Sequence, residues 1–144
     1  MARPFSLAGL LRLRKLQEDQ AAAEVSVARA RAAEVASRQK YAENSLASLM
    51  TPTVDSESMR WTAAARASTS SALGELEALE AEWALRTEDA RSRHATARGN
   101  ALGLEKLETR HNAAEAGESL RAEQAVLDEI AARAWKIAQG DGRR

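Results

Sequence analysis

The sequence predicts an all-α fold, a long antiparallel two-stranded coiled-coil hairpin whose C-terminal helix is the longer. Three observations predict it. After Pro4 a single proline interrupts the 144 residues, at position 52 within Thr51-Pro52-Thr53. Proline removes a helical N–H and clashes with the preceding turn, so the chain stops or kinks there. The residues before the break repeat their apolar positions in heptads. Composition agrees: Ala, Glu, Arg and Leu dominate and aromatics make up 3% of the chain, which is usage for long helices rather than a thick globular core.

The first helix is expected over about residues 4–49. Leu7, Leu11, Arg14, Glu18, Ala21, Val25, Ala28, Ala32, Val35, Gln39, Ala42, Leu46 and Leu49 alternate in steps of four and three, and ten of the thirteen are apolar. A seam held in phase this long predicts a left-handed coiled coil. At roughly 1.5 Å per residue such a helix spans about 65 Å, and its seam needs a partner, because propensity alone does not hold a helix of that length. Alanine at many seam positions predicts close helix approach with little burial per layer. Near the start a second stripe, Leu10, Leu13 and Leu16, widens the apolar face. Such a face suits a third helix, self-association or a docked partner.

The turn and tip are expected over about residues 50–70. Thr51 is a candidate cap with Pro52 at the first helical position, and Asp55 and Ser56 offer further caps. Residues 56–68 read as a short or frayed helix, because Ala67-Ser68-Thr69-Ser70-Ser71 and Gly74 have weak helix propensity. The main second helix is expected over about 71–139, with Leu76, Leu79, Trp83, Ala90, Ala97, Leu104 and Leu107 on one phase. From Ala113 the apolar phase moves to Ala113, Ala116, Leu120, Leu127, Ile130, Ala134 and Ile137, as a three-residue stammer would move it. Gly99, Asn100 and Gly103 precede the shift and permit a bend. Gly140 and Gly142 are expected to end the helix, leaving a short tail at 140–144. The whole chain, 1–144, is then a single elongated hairpin with both termini at one end.

Chemistry is sparse. Lysine and arginine number 21, as do aspartate and glutamate, so the formal net charge is zero and no long-range attraction to nucleic acid or an anionic membrane is expected. Arg12-Leu13-Arg14-Lys15 is a small basic group without aromatic platforms for bases, and it reads as solvation of the apolar stripe. There are no cysteines, hence no disulfide or thiol chemistry. No apolar run reaches the 18–20 or so residues of a membrane span, and the N-terminus lacks a secretory signal pattern. His94 and His111 have no metal-ligand spacing around them, the glycines form no phosphate loop, and no serine sits in a nucleophile elbow. The expectation is a cytoplasmic protein that is not an enzyme and carries no cofactor or metal. Trp83 reads as seam, whereas Trp61, with Met50 and Met59 in the break region, reads as a partner-binding spot or as packing of the turn.

The two ends resemble a known family. Phe5-x-Leu7-x-x-x-Leu11-x-x-Arg14-x-x-x-Glu18 is similar to the opening of the flagellar export protein FliJ family. Leu104-Glu105-Lys106-Leu107, followed by Arg121-Ala122-Glu123-Gln124-x-x-Leu127-Asp128-Glu129, resembles that family's C-terminal pattern. Residues 62–74 depart from it, having Ala, Ser and Thr where the family has bulky aromatics. The resemblance implies a soluble coiled-coil hairpin, similar to the gamma stalk of rotary ATP synthases, in the flagellar type III export apparatus. It further implies binding to the hexameric export ATPase with stimulation of its assembly and activity, contact with the membrane export gate, and cycling of export chaperones. Localisation would be cytoplasmic, peripheral to the inner membrane at the basal body through partners only. The ATPase set is then Phe5, Leu7, Leu11, Arg14, Glu18, Arg121, Glu123, Gln124, Asp128 and Glu129. The export-gate set is Tyr41, Leu49, Met59 and Trp61. Glu123 has a plainer reading, pairing with Arg12, Arg14 or Arg121. Alternatives are a homodimeric scaffold with its N-terminal seam paired between chains, the equivalent stalk of a virulence secretion system, or a nucleic-acid-binding hairpin.

Overall fold

A computed structural model describes residues 3–52 and 55–141. The fold is all-α, a helical hairpin of the coiled-coil type. Helix α1 spans Ala8–Ser48 and helix α2 spans Ser56–Asp141. The helices pack in two units, one of Leu16–Arg98 and one of Met1–Lys15 with Gly99–Arg144.

In the first of these, α1 and α2 run antiparallel. Glu18 pairs with Arg98 at 3.6 Å and Glu24 with Arg93 at 2.7 Å, and further along α1 the carbonyl of Leu49 meets Arg66. Val25, Ala28, Val35, Thr87 and Ala90 are buried between them. Thr87 satisfies its hydroxyl by donating to the carbonyl of Trp83, 2.7 Å away. In the second unit the helices are again antiparallel: Lys15 pairs with Glu105 at 3.1 Å, and the N–H of Arg3 donates to Glu115 at 2.9 Å. Leu11 and Ala101 are the buried hydrophobic residues among those described in it. Small seam residues bring the backbones close, so each layer removes little apolar area, on the order of 1 kcal/mol for a small side chain.

The α1 seam lies where the heptads put it. From Leu11 to Leu49 every seam position is buried or half-buried, including Arg14, Glu18 and Gln39. Leu7 is exposed, because α1 begins only at Ala8 rather than near Pro4. The α1 seam is thus closed by α2 of the same chain, whereas the scaffold alternative required it to pair between chains.

The start of α2 differs from expectation. It begins at Ser56 and continues through the Ser/Thr stretch, with no frayed segment before residue 71. Packing overrides the weak propensity there: Thr62, Ala65, Arg66, Thr69 and Leu73 turn one half-buried stripe inward. Thr62 also donates its hydroxyl to the Ser58 carbonyl at 2.7 Å, removing its competing demand on the backbone. Asp55, not Thr51, caps the helix, accepting from the N–H of Ser58 at 2.9 Å. Thr51 instead donates back to the Ser48 carbonyl at 3.0 Å. Thr53 and Val54 lie outside the described residues.

Helix α2 remains helical through Gly99 and Gly103 and extends to Asp141, so Gly140 does not end it and the tail expected at 140–144 is helical at 140 and 141; residues 142–144 lie outside the described residues. The packed stripe keeps its original phase through Leu104, Glu108, His111 and Glu115, and Leu107 lies outside it at 44% exposed. The stammer therefore has no counterpart in the packing. The shifted apolar residues begin where α1 and its leading residues have run out, and every residue from 118 to 139 is exposed.

Candidate functional site

Two surfaces contain the residues singled out in the sequence. In the unit built from the chain ends, the leading residues fold onto α2 before α1 begins. The Ala8 N–H donates to the Phe5 carbonyl at 3.1 Å and that of Leu11 to Leu7 at 2.9 Å, winding the chain into its first turn. His111 Nε2 lies 2.8 Å from the Arg3 carbonyl oxygen, and its ring lies 5.7 Å from that of Phe5, tilted by 40°. With Glu115 holding the Arg3 N–H, these groups clasp the leading residues to α2. The clasp was not legible among the chemical motifs. His111 does fall seven residues after Leu104, on the seam phase, and that spacing was the available signal.

Within this unit Leu7 just before α1, Leu10 and Leu13 on α1, and Leu102 and Leu107 on α2 remain exposed. Phe5 and Arg14 are half-buried, while Leu11 is a core residue at 5% exposure. Leu11 therefore bears on docking only through the packing beneath the surface. Arg121, Glu123, Gln124, Asp128 and Glu129 are all exposed on the unpartnered part of α2. Gln124 donates to Asp128 Oδ1 at 2.9 Å, and Glu129 pairs with Arg133 at 2.5 Å. Among the described residues neither Arg121 nor Glu123 has an ion-pair partner, so the pairing of Glu123 with Arg12, Arg14 or Arg121 is not formed. The N-terminal set meets α2 at His111 and Glu115, ahead of Arg121. The two sets succeed one another along α2 and do not merge into one cluster. Glu18 belongs to the other unit, where it is half-buried against Arg98.

In that other unit the turn carries the second surface. Tyr41 and Trp61 are 76% and 73% exposed, Met50 and Met59 are exposed, and Leu49 is half-buried. Trp61 does not pack the turn. That role falls to Leu46 and Leu49 against the stripe from Thr62 to Leu73, with Arg66 donating to the Leu49 carbonyl. Sequence reading missed Arg66, which stands in a segment of weak helix propensity. Elsewhere in this unit Trp83 stacks under Arg86, whose guanidinium carbon lies 4.8 Å from the ring centroid. With Val27 and Arg93 they line an open groove.

Two carboxyls in this unit are held below the usual carboxylate range. Asp55 is lowered by hydrogen bonds from the Ser58 side chain and then its N–H. Glu34 is lowered by its hydrogen bond from Arg31 and by the charge of Arg38. Both are exposed cap or surface pairs on a helix rather than acids poised in a cavity. Among the described residues no group of three or more His, Cys, Asp or Glu side chains is placed to hold a metal, and no helix is long and apolar enough to cross a membrane.

The family model described as "Flagellar FliJ protein" matches residues 3–140. No curated protein and no solved structure matches the chain.

Proposed function

The chain belongs to the flagellar FliJ family, and on that premise we propose that it binds and stimulates the export ATPase and links it to the export gate and export chaperones. The family is a non-catalytic component of the flagellar type III export apparatus. The finer reading rests on one observation. The polar cluster over residues 121–129 is wholly exposed, on a helical stretch for which the chain supplies no partner of its own. Arg121 and Glu123 hold unneutralised charge there, and charges presented on a preformed helix serve recognition of a complementary surface more than stability.

The leading residues Phe5 and Leu7, with Arg14 of α1, belong to the same docking unit, and Glu18 contributes through its own unit. The export gate is assigned to the turn, where Tyr41, Met59 and Trp61 present apolar and aromatic surface suited to a partner pocket. Leu49 supports that surface from beneath. The proposed location is the cytoplasmic face of the inner membrane at the basal body, held through these partners alone.

An ATPase assay tests the reading. Added to the flagellar export ATPase of the same organism, the chain is expected to raise the hydrolysis rate and to form a complex. Arg121→Glu, Glu123→Lys and Asp128→Lys are expected to weaken both. Neither stimulation nor a complex with the unaltered chain would remove the proposal.

A further inference from the structure

Beyond Gly117, α2 presents an unclosed heptad seam: Leu120, Glu123, Leu127, Ile130, Ala134 and Ile137, spaced three and four apart and all exposed. Val126 flanks it and is exposed as well. We propose that this seam is closed by the same segment of a second copy of the chain, running antiparallel, so that the protein self-associates through residues 118–139. The inference goes beyond the ATPase reading and does not depend on it.

The seam is complementary to itself in one register. With Leu127 opposite Ile130 of the second copy, Leu120 falls opposite Ile137 and Glu123 opposite Ala134. Two-fold symmetry then repeats each layer. Every bulky apolar residue meets another, and the one charged seam residue faces the smallest. Arg133 of the second copy, one residue from that Ala134, is within reach of the Glu123 carboxylate; its existing pair with Glu129 is exposed and exchanges easily. Parallel, in-register pairing instead stacks Glu123 on Glu123, a like-charge layer inside the seam.

Charge and area both favour a second copy over a foreign helix. Of the positions flanking the seam only Arg133 is charged, so the flanks carry no pattern that selects a charged partner. Closing the seam with Val126 removes on the order of 1,000 Å² over the two copies, the low end of interface sizes. That size fits a weak, concentration-dependent dimer. Arg121, Asp128 and Glu129 lie away from the seam and stay exposed in it.

The absence of cysteine allows a clean test in the full-length chain. Sedimentation equilibrium is expected to show monomer giving way to dimer between micromolar and near-millimolar concentration. Under mild oxidation, a Leu120→Cys chain mixed with an Ile137→Cys chain is expected to give the mixed disulfide, with little cross-linking of Leu120→Cys to itself. Ile130→Glu and Leu127→Lys, both at exposed positions, are expected to abolish the dimer while circular dichroism shows the helix retained. A chain that stays monomeric throughout overturns the proposal. So does a dimer undiminished in both variants, or one that cross-links Leu120→Cys to itself as well as to Ile137→Cys. An unaltered chain that stays monomeric yet stimulates the ATPase removes this inference alone, and one that dimerises but neither binds nor stimulates the ATPase removes the ATPase reading alone.

Discussion

Arg66 donates both Nε and Nη2 to the carbonyl oxygen of Leu49, at 2.8 and 2.5 Å. The acceptor lies just past the C-terminus of α1, where the last carbonyls lack helical donors and the helix dipole is negative. A half-buried guanidinium from α2 thus ends α1 and ties the two helices together beside the turn. Arg66→Ala is expected to destabilise the protein by about 1–2 kcal/mol, measured by urea denaturation. Arg66→Lys is expected to recover only part of this, because an ammonium cannot reproduce the two-pronged contact.

Asp55 sets the other side of the turn. Its folded pKa lies below the ordinary 3.8, first through the Ser58 side chain and then the Ser58 N–H. A carboxyl depressed on folding contributes stability that is fully present above its unfolded pKa and is lost as pH falls through the folded value. The stability difference between the natural chain and Asp55→Ala is therefore expected to be constant at neutral and mildly acidic pH, then to shrink below about pH 4. Denaturation midpoints across an acid series measure it. A difference that grows on acidification contradicts the cap.

Leu11 and Leu13 are two residues apart and differ in fate, one buried and one 50% exposed. Leu11→Ala removes a core side chain from a thin seam and is expected to cost about 2–3 kcal/mol. Leu13→Ala is expected to stay within about 0.5 kcal/mol. Thermal melts of the two variants distinguish them.

Gly99 and Gly103 sit inside α2 without positive φ, and a Cβ added at either meets nothing within 4 Å. Neither backbone conformation nor close approach requires glycine. Gly99→Ala and Gly103→Ala are each expected to stabilise by about 0.5–1 kcal/mol, seen as a raised Tm.

The α1 seam was legible almost residue by residue because strict heptads in a breaker-free stretch allow one helical face only. The turn was less so. Ser68, Thr69, Ser70 and Ser71 argued locally against helix, and packing against α1 overrode them. Along α2, apolar spacing located the seam but misplaced Leu107, whose exposed position contrasts with half-buried Glu105 and Glu108. Polar seam members such as Thr87, His94 and His111 carry no hydrophobic signal. Nor does the sequence of α2 record where its partner ends, so the unpartnered stripe from Leu120 to Ile137 read as a phase shift within a continuing coil. Of the candidate site residues, Arg121, Glu123 and Trp61 are exposed as docking requires, while Leu11 shows how a family pattern also contains residues that only hold the core.

The unpartnered stretch of α2 has a consequence for amide exchange and for the thermodynamics of association. Beyond Gly117 its backbone hydrogen bonds are protected by helical propensity alone, without the tertiary packing that supplies most helical stability in proteins. Deuterium uptake is expected to be slow through the packed positions up to Glu115 and to quicken toward Gln139, following opening free energies that fall toward zero. Whatever closes over this stretch also orders its backbone. Its association should then show a favourable enthalpy offset by entropy, and a heat-capacity decrease larger than docking of a rigid surface gives.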